Sequence, residues 1–351
     1  MIHNIAVIGA GNISKRHLDA YRQIPGVTVS AICDLNNELA QLRAQEYGIP
    51  NVYTDYHNAL NAPDIDAVSI VTPTFTHAQI VQEALTAGKH VLCEKPPALT
   101  YDEALESERL AAQAGKVLMY GFVVRFKQEN QLLKQLITEG RLGELYYAEA
   151  TRTENCSSIG GWFRDKTKSG GGCLMDAAIH QLDLMLWLMD YPKVISVKGF
   201  TSDVNKDLPE RIKGLQSGWG AVDNAVIPRT IESFATGFIT LEGGKNIIIK
   251  TAHISNTPNP GTRFELLGDR GGVYSDKDGL KMLTIDPSNY FVKTQPVINN
   301  RLDHFQAEIQ HFVDCCNGQT RCIPNAHEGT QLMQVLNAIY ASAESGEEIH
   351  F

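Results

Sequence analysis

Three short stretches of the 351-residue chain hold side chains whose types and spacing could do chemistry. The first, GAGNIS from Gly9, has the spacing of a G-x-G-x-x-G turn with Ser14 in the third glycine's place. Gly9 permits a tight turn, Gly11 lets the backbone approach a pyrophosphate, and a helix opening near Ile13 would offer free N–H groups to that anion. The second, CEKPP, sets Lys95 after the apolar run HVLC and before two prolines that favour extended backbone around it. The third, DAAIH, places Asp176 and His180 four residues apart, on one face of a helix. An imidazole that titrates near neutrality can take a hydroxyl proton, and a carboxylate can orient it. An ammonium group can stabilise an oxygen that gains negative charge. Each stretch also has a plainer reading: an ordinary strand-to-helix turn, a solvated lysine, a surface pair.

The elements that must position these residues alternate in the first third of the chain. IAVIGAG (5–11), VTVSAICD (27–34), DAVSIVTP (66–73), HVLCEKP and VLMYGFVVRF (117–126) read as strands. Between them SKRHLDAYRQI (14–24), LNNELAQLRAQEYG (35–48), HAQIVQEALTAG (77–88) and YDEALESERLAAQAG (101–115) read as helices, several stopped by glycine. Such alternation predicts a parallel sheet with helices on both faces, which binds ligands at the carboxyl ends of its strands. Those ends are GAGN, CDLN, VTPT and CEKP. Asp34, 20 residues after Ser14, stands where a carboxylate would accept from both adenosine ribose hydroxyls and repel a 2′-phosphate. Leu35, Asn36 and Asn37 bring no cation after it, so NAD is favoured over NADP. A helix cap is the alternative role for Asp34.

Beyond about residue 125 the pattern changes. ELYYAEAT, VISVKGFT, ESFATGFITL, KNIIIKTAHI and RFELLGD succeed one another as strands, with one marked helix, DAAIHQLDLMLWLM, before most of them. Successive strands favour an antiparallel or mixed sheet. FQAEIQHFVDCCNG and HEGTQLMQVLNAIYASAESG are amphipathic helices, and the polar stretch 205–224 reads as a loop near the site or at an oligomer contact. A net charge of −9 without a basic block argues against nucleic acid. Seven scattered cysteines with no C-x-x-C spacing argue against a disulfide framework or a zinc site and for a reducing cytoplasm. MIHNIAVIGAG lacks the features of a signal peptide, and no stretch of 18 apolar residues spans a membrane.

With GAGNISKRH (9–17), VTPTFTHAQIVQEALTAGKHVLCEKPPALT (71–100), SGGGCLMDAAIHQLDLMLWLM (169–189) and the two C-terminal segments, the chain resembles the glucose–fructose oxidoreductase, inositol dehydrogenase and rhizopine catabolism family. The resemblance implies an α/β fold: a Rossmann domain with a doubly wound parallel sheet over 1–124, and an α+β domain over 125–351. The second domain would hold a large open, mostly antiparallel sheet, with the C-terminal helix free to pack back on the first domain. It makes Lys95, Asp176 and His180 the catalytic set, with no metal required. The cofactor, NAD, would lie along Gly9, Gly11, Asn12, Ile13, Asp34, Leu35, Thr72, Pro73, Thr74, His77, Glu94 and Lys95. Arg125 falls where the family often faces substrate, and Arg152 and the aromatic Trp162 are further substrate contacts beside Lys95, Asp176 and His180. Ala178 stands where many members have glycine, a change of packing only. The expected activity is NAD-dependent oxidation of a ring hydroxyl of an inositol, sugar or glycoside to a ketone, by a cytoplasmic homodimer or homotetramer joined through the open sheet. Three alternatives stand beside it: a sugar 1-dehydrogenase that forms a lactone, a glycoside hydrolase that uses NAD transiently, and a non-catalytic NAD-sensing regulator. The role of His17 is open.

Overall fold

β1 (Asn4–Ile8) is the apolar run before the glycines, and all but its first residue are buried. In the computed structural model, which describes residues 2–155, 159–205, 228–296 and 303–351, the chain divides into two units. The first comprises Met1–Lys127 and Leu302–Met333, the second Gln128–Arg301 and Gln334–Phe351. Most of the polar stretch 205–224 lies outside the described residues, as does Cys156.

In the first unit β1 is followed by α1 (Asn12–Tyr21), β2 (Thr28–Cys33), α2 (Asn37–Tyr47), β3 (Asn51–Tyr53), α3 (Tyr56–Leu60) and β4 (Ala67–Ile70). Then come α4 (His77–Thr86), β5 (His90–Glu94), α5 (Tyr101–Ala114) and β6 (Leu118–Gly121). All six strands are parallel, in the order β3-β2-β1-β4-β5-β6, the doubly wound arrangement that reverses beside β1. Local chemistry sets the helix bounds. Thr100 and Glu103 form a capping box on α5, and Gly115 ends it in the left-handed region. The expected strand over 117–126 stops at Gly121, and Val123–Phe126 forms a 3₁₀ turn. One core cluster joins Ile5, Tyr21, Leu92 and Met119 to Ile309, Phe312 and Val313 of the helix His304–Cys316. Another joins Val7, Leu18, Ile32 and Ala40.

The second unit begins with α6 (Gln128–Thr138) and β7 (Leu145–Thr153), then α7 (Lys166–Ser169), α8 (Ile179–Leu188), β8 (Val194–Ser202), β9 (Phe234–Leu241) and β10 (Asn246–Ala252). β11 (Gly261–Gly268), β12 (Gly271–Asp276), β13 (Gly279–Ile285), β14 (Phe291–Thr294) and β15 (Ile349–His350) complete a nine-stranded sheet in the order β14-β13-β12-β11-β7-β10-β9-β8-β15. Among the described residues of this sheet only β7 and β10 pair in parallel. Alternation sorts its residues into two faces. Ala148, Ala150, Ile239, Ile247, Ile249 and Leu266 are buried on one. α8 packs against β7 and β10; every residue of α8 is buried, which fits its lack of a polar stripe. The other face carries a row in register across five strands: Phe238, Ile248, Glu149, Glu265 and Tyr274. Phe238 and Tyr274 in that row are exposed, as is Phe200 on β8.

Candidate active site

The glycine turn joins β1 to α1. Gly9 has φ +108°, and a Cβ there would stand 2.7 Å from the Val71 carbonyl oxygen, so only glycine fits. Gly11 is the opposite case: a Cβ there would meet nothing within 4 Å. The space over Gly11 is open, and α1 starts without a side-chain cap or an acidic residue in its first turn. Its first amides are thus left to an external acceptor, which is what a pyrophosphate needs. Ser14 is buried and donates to the Gly11 carbonyl at 2.6 Å, keeping the helix start tight. Asn12 and Leu35 are exposed beside this turn. Asp34 accepts the Ala10 amide at 2.7 Å and the Asn36 amide at 2.8 Å, so its charge is fixed against the glycine turn.

At the ends of β4 and β5 two turns meet. Thr76 donates to the Thr72 hydroxyl at 2.7 Å, Pro73 follows, and Thr74 is buried. His77 is also buried, with Nδ1 on the Pro96 carbonyl at 2.7 Å and Nε2 on the Thr72 carbonyl at 2.8 Å. Carbonyls only accept, so these bonds call for two ring N–H groups. Burial works against the second proton and lowers the pKa, while the two carbonyls and Glu94 favour it. With both nitrogens occupied, His77 staples the Thr72 turn to the Pro96 turn.

Glu94 ends β5 in a polar chain. Tyr21 donates to Ser69 at 3.4 Å, Ser69 lies 2.8 Å from His17 Nδ1, and His17 Nε2 lies 3.0 Å from Glu94 Oε1. Burial holds the Tyr21 phenol well above its ordinary pKa, so it stays a donor. The chain then has one consistent direction: Tyr21 to Ser69, Ser69 to Nδ1, Nε2–H to the carboxylate. The other oxygen of Glu94 accepts the Lys95 amide at 3.2 Å. Gly121 on the neighbouring strand leaves room, since a Cβ there would be 3.1 Å from the Glu94 carboxyl carbon. Lys95 itself is half-buried at the end of β5, and the Lys95–Pro96 peptide is cis. Arg125, expected to face substrate, is fully buried, and its Nη1 donates to Glu328 at 2.9 Å. A guanidinium out of water needs such a partner.

In the second unit Asp176 lies in a π-helical turn, Leu174–Ala178, and His180 in the first turn of α8. Single π-turns recur at functional sites. Glu232 holds this turn: its carboxylate accepts the Gly172 amide at 2.7 Å, the Leu174 amide at 3.0 Å and the Tyr340 hydroxyl at 3.0 Å. Burial and the adjacent carboxylate keep the Tyr340 phenol protonated. This packing accounts for the glycine run. A Cβ at Gly171 would collide with the Tyr340 hydroxyl, and one at Gly172 with the Glu232 carbonyl oxygen. Asp176 Oδ2 lies 3.2 Å from Nε2 of His253, a residue not singled out by its local sequence. The one signal for it was strand alternation, which puts His253 on the same side as the buried Ile247, Ile249 and Thr251. Arg152 lies in β7, level with Thr251 and 3.9 Å from Glu154, and the Trp162 ring stacks on Phe163 with centroids 3.8 Å apart.

A doubly wound sheet with an open glycine turn and a fixed carboxylate after β2 defines a dinucleotide-binding protein. Two family models extend this: the NAD-binding Rossmann fold of an oxidoreductase family matches residues 3–122, and its C-terminal alpha/beta domain matches residues 134–351. The chain belongs to this glucose–fructose oxidoreductase, inositol dehydrogenase and rhizopine catabolism family; it is an oxidoreductase, and its cofactor is NAD. D-glucoside 3-dehydrogenase of Escherichia coli (strain K12) is 31% identical, over 98% of this chain and 96% of its own. The scyllo-inositol 2-dehydrogenase (NAD(+)) of Bacillus subtilis (strain 168) is 26% identical, over 90% of this chain and 86% of its own. A levoglucosan dehydrogenase solved with NADH and levoglucosan shares the fold, with TM-score 0.84, 22% identity and 99% of both chains covered.

Proposed function

We propose that this oxidoreductase oxidises one ring hydroxyl of a cyclic polyol or sugar to a ketone. The observation that carries the reading is the Asp176–His180 turn: a carboxylate and an imidazole four residues apart, on backbone tied down by Glu232. The alcohol carbon loses a hydride and its oxygen loses a proton; NAD, when bound, supplies the hydride acceptor. His180 takes the proton, Asp176 orients the ring and stabilises its charged form, and Lys95 donates to the oxygen as charge develops there. The open space over Gly11 and the fixed charge of Asp34 support binding of the cofactor along Gly9, Asn12, Ile13, Leu35, Thr72, Pro73 and Thr74. Trp162 would stack on a sugar face and Arg152 would meet its hydroxyls. The D-glucoside 3-dehydrogenase relative favours a glycoside, and the scyllo-inositol relative keeps cyclitols as the second class.

The purified protein with NAD and a panel of inositols, hexoses and glycosides, followed by nicotinamide absorbance, tests the reading. NADH formation with ketone product supports it. Lactone product moves the assignment to a sugar 1-dehydrogenase, and glycoside cleavage without net NADH to a hydrolase. NAD binding with silence across the panel indicates a regulator. Lys95→Ala and His180→Ala should each lower kcat at least ~100-fold, the scale of lost electrostatic or acid–base catalysis. His180→Ala should still bind NAD. Near-normal turnover in either variant removes that residue from the mechanism.

A further inference from the structure

His253 follows β10 and is held to the sheet by its own amide, which donates to the Ser233 carbonyl at 3.0 Å. Its ring is buried, 2% exposed, under the π-turn that carries Asp176. Nε2 lies 3.2 Å from Asp176 Oδ2, while Nδ1 has no hydrogen-bond partner among the described residues. These two facts assign the tautomer. A proton on Nε2 is donated to the carboxylate. A second proton on Nδ1 would leave a buried N–H with no acceptor, whereas a bare lone pair there is the lesser loss. The imidazole is thus a neutral donor, and it leaves the negative charge of Asp176 in place. Oδ2 is the oxygen of Asp176 that meets His253, and the Asp176 side chain remains 32% exposed.

We propose that His253 is a positioning residue for the oxidation: its Nε2–H fixes the Asp176 carboxylate in the rotamer that orients His180, without neutralising the charge that stabilises the protonated base. The inference rests on the proposed roles of Asp176 and His180. It adds a third member, supplied from just beyond the end of β10, to a pair on one helical segment. A carboxylate that must orient a base is itself held by a hydrogen bond, as precise catalytic groups require.

The test is a double-mutant cycle on the intact protein, with the panel compound that reduces NAD fastest. His253→Leu should lower kcat on the order of 10–100-fold, the range found when an outer hydrogen-bond partner of a metal-site ligand is removed. The Kd for NAD should not change. His253→Gln, whose amide can still donate, should recover much of the loss. In an Asp176→Ala background, His253→Leu should cost nothing further. Equal losses in both backgrounds, or no loss in the wild type, would overturn the proposal. Full activity of Asp176→Ala would instead sink the reading of the pair on which it rests. A readout free of turnover guards against a merely unstable variant: nitrogen NMR of the histidine-labelled protein should show His253 neutral and protonated at Nε2. A doubly protonated or Nδ1-protonated ring would also overturn it.

Discussion

Asp34 spends both carboxylate oxygens on the Ala10 and Asn36 amides, and its remaining lone pairs are what a ribose could use. Asp34→Ala should therefore relax the preference for NAD over NADP, measured as the ratio of kcat/KM for the two cofactors. An unchanged ratio would reduce Asp34 to a turn cap. His90, at the start of β5, shows a different kind of dependence. Burial, then the charge of Lys116, pushes its pKa down to about 4, and the Val117 amide donates to Nδ1, the atom a proton would need. In the unfolded chain the ring titrates near 6.5. Between those values the unfolded state takes up a proton that the folded state does not, so stability falls as pH drops through that window. The urea midpoint should fall between pH 7 and pH 4.5, and fall less in His90→Gln. Equal falls in the two proteins would show that His90 contributes nothing. Asp34 and Lys95 drew notice in the sequence through their place after an apolar run, although the Ala10 amide that Asp34 accepts lies 24 residues away. Glu232 was not, because the amide it holds belongs to Gly172, 60 residues away. His253 and Arg125 likewise take their meaning from partners that local sequence does not display.

Two glycines separate backbone need from ligand need at the scale of an element. Gly11 has φ −64° and open space, so Gly11→Ala should leave the melting temperature near that of the wild type and raise the KM for NAD. Gly172 is packed against Glu232, so Gly172→Ala must push the π-turn off its support. Overpacking of this kind costs roughly 1–3 kcal/mol. It should lower the melting temperature and kcat together, with NAD affinity kept. The reverse pattern in either variant would refute the distinction. The alternating strands and helices of the first unit were readable from periodicity, except β3 and α3, whose three and five residues are too short to show a period. The reading of one helix from Asp176 onward missed the π-turn, since apolar spacing reports a buried face and not the hydrogen-bond register beneath it. β12 to β14 went unread because glycines and charges thin their apolar pattern.

For the whole molecule, the row Phe238–Ile248–Glu149–Glu265–Tyr274, on the sheet face where Phe238 and Tyr274 are exposed, is where we propose that copies of the chain meet. Phe238 is 44% exposed and pairs with Lys198, so Phe238→Lys would set like charges side by side there. Sedimentation should show a smaller species than the wild type, without loss of helical signal. An unchanged assembly would move the contact elsewhere. The switch of pattern near residue 125 was visible in the sequence as strands following strands. The return of Leu302–Met333 to the first unit was harder to see. An amphipathic stripe says that a helix buries one face, and is silent about which partner covers it.

That return governs the order in which the chain can mature on the ribosome. About 170 residues separate Lys127 from Leu302. At ~5–20 residues per second, roughly 10–35 s pass before the helix bearing Ile309, Phe312 and Val313 emerges. Through that interval Ile5, Tyr21, Leu92 and Met119 lack part of their covering, so the nascent nucleotide-binding half keeps apolar surface open to water until Phe312 has left the exit tunnel.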